Sequence, residues 1–176
     1  MRVLATTIAA AILSLGISGC GSSSGDKPVA QATAVSFSGA KYTLADEPDG
    51  AVGVIAARGS AKDGESIVMV GRVGGAGNPW IDGRAAFMML DASKSVVAQG
   101  KEASGNEICM GDCCALERAA CTALVTVVDD NGSVLPVDSR ELLRIAENDM
   151  VLVRGKVKKD ETGNFTVLAE GVYVRR

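Results

Sequence analysis

Hydrophobic residues recur in short blocks through the second half of the chain, and polar turn residues separate the blocks. Most blocks are rich in valine and other aliphatic side chains, which favours strands over helices. Residues 129–133 and 160–164 contain Asp, Asn and Gly, the composition of tight hairpin turns. The pattern therefore predicts five strands, at residues 67–73, 84–91, 122–128, 150–157 and 165–174.

Two shorter stretches have helical character. Asp138 begins a near capping box, and the apolar positions after it predict a helix through about residue 147. A second short helix is predicted at residues 51–61, although Gly53 and Gly59 weaken its pattern. Residues 35–44 have β character. The helix that begins near Asp138 falls between the third and fourth predicted strands.

Glycines inside two predicted strands indicate where the sheet bends. Residues 67–73 and 151–157 can be superimposed with Gly71 on Gly155. Mid-strand glycines mark sharp bends, such as those at the corners of a small barrel. Five strands with a helix between the third and fourth is the element order of the OB-fold. The sequence therefore predicts a mainly β protein, a small five-stranded OB-like Greek-key barrel.

Residues 66–174 resemble the OB-fold domains of anticodon-binding proteins and of exported bacterial OB-fold proteins. The resemblance is carried by residues 68–73 (VMVGRV), 87–91 (FMMLD) and 148–157 (NDMVLVRGKV). The family usually has Gly-Asp where this chain has Asn-Asp at the start of the last segment. The resemblance implies a binding fold and carries over no particular activity.

An apolar run near the N-terminus has the pattern of an export signal. Arg2 is followed by apolar residues 3–17 and by small residues that end at Cys20. A transmembrane anchor is the alternative, but it needs about 20 apolar residues with basic flanks. Residues 17–20 (ISGC) resemble the lipobox of bacterial lipoproteins. We predict a signal peptide at residues 1–19, a flexible tether at 20–34 and a single OB-like domain at 35–176, with its core at 66–174.

The lipobox resemblance implies a location and a first partner. In that family the signal is removed before the cysteine, and both the thiol and the new amino group are acylated. Each buried methylene contributes about 0.8 kcal/mol, so several chains such as palmitate would hold Cys20 in membrane lipid. Gly21, where an Asp would signal retention, implies the outer membrane. The expected location is the cell envelope, at the outer membrane or a periplasm-facing membrane surface.

The lack of histidine excludes more chemistry than any other feature of the composition. The chain has 176 residues and no histidine, which excludes His-based triads, imidazole bases and most catalytic zinc sites. Its net charge of −3 and its 3% of aromatic residues argue against nucleic acid as a partner. No paired-carboxylate or Ser/Lys arrangement stands out. We therefore predict a non-catalytic protein without a cofactor.

A long insertion between the second and third strands, residues 92–121, contains four of the five cysteines: Cys109, Cys113, Cys114 and Cys121. In an exported protein, four thiols first predict two disulfides that hold the insertion in place. Pairing the adjacent Cys113 and Cys114 would need a strained ring. This leaves 109–113 with 114–121, or 109–114 with 113–121. The alternative is a metal or redox site made from the same thiols, although paired Cys-x-x-Cys spacing is missing.

Four further residues form a candidate ligand face: Trp80, Arg154, Lys156 and Lys158. Trp80 either stacks on a ligand or caps the end of the barrel. The three cations alternate along one strand and therefore share a face, which either meets an anion or lies in solvent. Our first hypothesis is a membrane-anchored, non-catalytic module that binds an envelope protein or glycan, or serves envelope assembly. The second is a thiol-based metal-binding or redox protein, and the third is an oligosaccharide- or nucleic-acid-binding domain.

Overall fold

The computed structural model describes residues 37–176, and strands dominate this part of the chain. Its elements in chain order are a 3-10 helix at Gly39–Lys41, β1 (Val52–Gly53), α1 (Val54–Ser60), β2 (Ser66–Val73), β3 (Ala86–Asp91), β4 (Ser95–Val97), β5 (Glu107–Cys109), a 3-10 helix at Asp112–Cys114, α2 (Ala115–Cys121), β6 (Thr122–Val127), α3 (Ser139–Leu143), β7 (Met150–Lys159) and β8 (Phe165–Arg175).

Five of these strands close into a barrel in the order β2-β3-β6-β8-β7, with β7 pairing back onto β2. Neighbouring strands are antiparallel except for β6 and β8, which are parallel. Helix α3 lies between the third and fourth barrel strands, and the cysteine-containing insertion lies between the second and third. This is the OB-like Greek-key barrel that the sequence predicts, and the fold prediction is confirmed.

The two mid-strand glycines lie where backbones approach each other closely. The β7–β8 pairing shifts after Arg154, because Arg154 faces Gly171 whereas Gly155 faces Ala169 and Glu170 is left between them. A Cβ on Gly155 would lie 2.9 Å from the Cα of Ala169, and one on Gly71 would lie 2.6 Å from the carbonyl oxygen of Leu90. Glycine permits these contacts, as expected for the bends of a small barrel.

The barrel interior is filled by alternate residues of its strands, as the period of two requires. Its fully buried side chains include Met69, Phe87, Met89, Val125, Val151, Val153 and Val167. A second, smaller apolar cluster consists of Leu90, Ile108 and Cys121, with Val96 and Cys114 packed against it. This second cluster joins the insertion to the end of β3.

Three local expectations need correction. The helix predicted through residue 147 ends at Leu143, because Arg144 adopts a left-handed conformation with φ of 54°. Residues 37–44 contain a 3-10 helix rather than a strand, since only Thr43 bridges to Val172. The helix predicted at residues 51–61 is shorter, as α1 begins after the short strand β1.

The predicted signal peptide (1–19), the tether (20–34) and Cys20 lie outside the described residues, so they stay predictions. Within residues 37–176, no helix has the length and apolar character needed to cross a membrane.

Candidate functional site

The insertion between β3 and β6 has secondary structure of its own. Strands β4 and β5 pair in parallel, and β5 ends at Cys109. The 3-10 helix at Asp112–Cys114 then leads directly into α2. From α2, Arg118 donates its Nη1 to the carbonyl oxygens of Cys109 (3.1 Å) and Gly111 (3.2 Å). Arg118 therefore holds the turn that carries the cysteines against α2.

Three of the cysteines meet in this turn. The Sγ of Cys109 lies 2.9 Å from that of Cys114 and 3.9 Å from that of Cys113, and the Sγ atoms of Cys113 and Cys114 are 3.7 Å apart. The backbone N–H of Gly111 donates to the Sγ of Cys109 at 3.3 Å. Cys109 is buried and Cys113 is exposed, so the cluster extends from the interior of the insertion to its surface.

Contacts within the cluster shift the pKa values of two of its thiols in opposite directions. The hydrogen-bond contact with Cys114, together with the hydrogen bond from the Gly111 amide, lowers the pKa of Cys109 below its ordinary value. The contacts with Cys109 and Cys113 raise the pKa of Cys114 to about 11. The three thiols therefore interact as one group.

Cys121 is not part of this cluster. It is the last residue of α2, only 5% exposed, and it packs with Leu90 and Ile108. Burial raises the pKa of the Cys121 thiol. Both predicted disulfide patterns need Cys121 as a partner of Cys113 or Cys114. In the described chain all four cysteines are free thiols, and the two predicted disulfides are not found.

A separate groove of about 790 Å³ follows the outer face of β3, β6 and β8. Its floor is mainly apolar, with Met88, Leu124 and Leu168, and it also includes Thr122, Thr126 and Thr166. Arg58 and Lys158 line it as cations, and the turn between β7 and β8 closes one end. The groove therefore combines an apolar floor with positive charge.

Arg58 connects three elements at the wall of the groove. Its Nη1 donates to the carbonyl oxygen of Thr122 (3.0 Å) and its Nη2 to that of Gly163 (3.2 Å). Its guanidinium lies 5.4 Å from the ring centre of Phe165, and the Nζ of Lys159 is at the same distance. Burial lowers the pKa of Arg58, yet an arginine stays charged at neutral pH.

The acidic residue of the groove has a structural role. Asp160 accepts hydrogen bonds from the hydroxyl of Thr162 (2.7 Å) and from the side-chain amide of Asn164 (2.7 Å). With the backbone amides of the same residues, these bonds lower the pKa of Asp160 to about 2. Asp160 therefore organises the turn between β7 and β8 and is a poor general acid at neutral pH.

Comparison with known proteins adds a structural likeness only. No protein-family model matches the sequence, and no curated protein matches it. One similar solved structure is described as an aspartyl-tRNA synthetase from Leishmania major Friedlin. The two chains share 9% sequence identity, with a TM-score of 0.39. The match covers 76% of this chain and 22% of the length of that protein.

The structure keeps the three cations of the candidate ligand face on one strand, and Trp80 lies outside that strand. Trp80 is half-buried, and its ring centre lies 6.4 Å from that of Phe87. The guanidinium of Arg140 lies 5.4 Å from the ring centre of Trp80. Trp80 therefore packs as a cap at the barrel end. Arg154, Lys156 and Lys158 alternate as exposed residues of β7, as predicted. Only Lys158 lines the groove, whereas Lys156 lines a smaller pocket of about 360 Å³.

Three residues that organise these sites carried no signal in the sequence. Arg58, Gly111 and Arg118 are single residues without a spacing motif, and their contacts are to backbone carbonyls or to a sulfur atom. Such contacts depend on where α1 and α2 pack. For the insertion, the cysteine spacing was the sequence signal that indicated a site.

Proposed function

We propose that this chain is a lipid-anchored, non-catalytic binding module of the cell envelope, and that its barrel binds a partner along the groove on β3, β6 and β8. The position of the groove carries the proposal. OB-folds bind ligands on the face of their second and third strands, beside the loop between the fourth and fifth. In this chain those parts are β3, β6 and residues 160–164, all of which line the groove.

The chemistry of the groove favours an extended segment of an envelope protein that carries acidic side chains. The apolar residues of its floor suit peptide side chains, and its cations suit carboxylates. The one aromatic ring in the lining, Phe165, is already covered by Arg58 and Lys159, which leaves little ring surface for stacking a sugar or a base.

Two experiments in sequence test this proposal. First, a photo-crosslinking residue in place of Leu124, in the membrane-bound full chain, captures the partner, and mass spectrometry identifies it. Charge reversal then tests how the partner binds. We expect Lys158→Glu to weaken binding of the purified partner about tenfold, or about 1.4 kcal/mol, because it removes attraction to a carboxylate. The matched control is Arg154→Glu, on the same strand face but outside the groove, which should change the affinity less than twofold. Crosslinks to glycan, or equal losses in both variants, would contradict a protein partner.

The anchor has a direct test. We expect Cys20→Ala to move the protein from the membrane fraction to the soluble fraction, because the acylated thiol is lost and no other anchor is proposed. Fractionation after a high-salt wash measures the distribution, and Cys113→Ala serves as a cysteine control that should stay in the membrane. A Cys20→Ala variant that still sediments with lipid would refute the anchor.

A further inference from the structure

We propose that Cys109, Cys113 and Cys114 form a three-thiolate site for one soft, closed-shell metal ion, Zn²⁺ or Cu⁺. The site lies in the insertion rather than in the groove, so the inference does not depend on the proposed partner. Both ions have filled d shells and accept thiolate ligands without a strong demand for one geometry.

Two of the three sulfur separations already fit such an ion. With Zn–S bonds of about 2.3 Å, two sulfurs of a tetrahedral site lie about 3.8 Å apart. The Cys109–Cys113 separation of 3.9 Å and the Cys113–Cys114 separation of 3.7 Å already match this value. The Cys109–Cys114 contact of 2.9 Å must open by about 0.9 Å to reach it.

The donor set selects the class of ion. Among the described residues, the cluster with metal-ligand spacing contains only these three sulfurs and no carboxylate, which disfavours Mg²⁺ and Ca²⁺. Iron–sulfur clusters are held by four thiolates, and Cys121 packs in the apolar cluster with Leu90 and Ile108 instead. The site therefore suits a single ion. Because Cys113 is exposed, an ion can reach the cluster from solvent.

The surroundings of the sulfurs support bound thiolates. The amide of Gly111 already donates to the Sγ of Cys109. Arg118 donates to the carbonyl oxygens of Cys109 and Gly111 and so fixes the backbone of this turn. The arginine also offsets part of the negative charge that three thiolates leave on a mono- or divalent ion. Binding replaces the three thiol protons by the metal and releases them to solvent, and neither sulfur nor metal changes oxidation state.

The test uses the full chain, purified under reducing, oxygen-free conditions. Competition against chromophoric chelators measures the affinity and stoichiometry for Zn²⁺ and for Cu⁺ separately. We expect one ion per chain for at least one of the two metals. Peptide mapping after alkylation should show that this metal protects Cys109, Cys113 and Cys114 and leaves the labelling of Cys121 unchanged.

Variants distinguish metal binding at this site from nonspecific metal binding by individual cysteines. Cys113→Ser alters an exposed residue and should leave the fold intact, yet it should weaken binding more than 100-fold, beyond the 10–100-fold typical of outer-sphere changes. Arg118→Gln, a positioning change, should weaken binding about 10-fold or more while thiol number and stoichiometry stay the same. The matched control is Cys121→Ala, which should change the affinity less than threefold.

Three results would overturn the inference. One is failure of the reduced chain to bind either ion. Another is a loss of affinity in Cys121→Ala as large as that in Cys113→Ser. The last is isolation of the chain from membranes with Cys109 and Cys114 joined in a disulfide. None of these results bears on Lys158 or the groove, so the two proposals fail independently.

Discussion

Gly155→Ala is expected to lower the free energy of unfolding by about 3 kcal/mol, the upper part of the range for overpacked interiors. An added Cβ would lie 2.8 Å from the carbonyl carbon of Leu168 and 2.9 Å from the Cα of Ala169. Both atoms belong to the backbone of β8, so no side-chain rotation can relieve the contact. The strand pair would have to separate at the very point where its register shifts.

Urea unfolding monitored by the fluorescence of Trp80 measures this loss. The matched control is Gly59→Ala in α1, where nothing lies within 4 Å of an added Cβ. Alanine there should stabilise the protein by about 0.5–1 kcal/mol, because it favours the helix and restricts the unfolded chain. A loss below about 1 kcal/mol in Gly155→Ala would mean that β7 and β8 are less closely packed there than the structure indicates.

Asp91→Ala is expected to cost about 2–3 kcal/mol, because it removes the charged acceptor of several part-buried hydrogen bonds. Asp91 is 6% exposed, and it accepts hydrogen bonds from the amide of Ile55 (2.9 Å) and from the hydroxyl of Ser93 (2.6 Å). One carboxylate thus connects the end of β3, the first turn of α1 and the start of the insertion. Asp49→Ala, at an exposed position, should change the stability by less than about 0.5 kcal/mol.

The effect of Asp91 should depend on pH in a defined direction. Burial raises its pKa, but the hydrogen bonds from Ser93, Ile55 and Val54 outweigh burial, so the pKa lies below the ordinary value. A carboxyl with a lowered pKa stabilises the fold above its unfolded pKa of about 3.9 and loses that contribution as the pH falls through the folded pKa. The difference in the free energy of unfolding between the wild type and Asp91→Ala should therefore have its full size at pH 7 and become smaller below about pH 4. An unchanged difference at low pH would refute this account.

The strands were predictable because their signals are local. Valine-rich blocks, Asp-Asn-Gly turns and the glycines at 71 and 155 each act within a few residues, and together they located all five barrel strands. The helix after Asp138 was predicted too long because its end depends on Arg144, whose left-handed conformation has no sequence signature. The insertion was predicted as a pinned loop, and its strands β4 and β5 are too short for a periodic pattern.

The sequence by itself determined the barrel, the order of its elements along the chain and the confinement of four thiols to one insertion. It did not determine which thiols meet, because that depends on α2 carrying Cys121 onto Leu90 while the preceding turn brings Cys113 and Cys114 back to Cys109. It did not locate the groove either, since Arg58 and Lys158 come from distant elements and converge only when the barrel closes. Strand patterns repeat within a few residues, whereas sites form where separate elements pack, and only the tertiary structure specifies that packing.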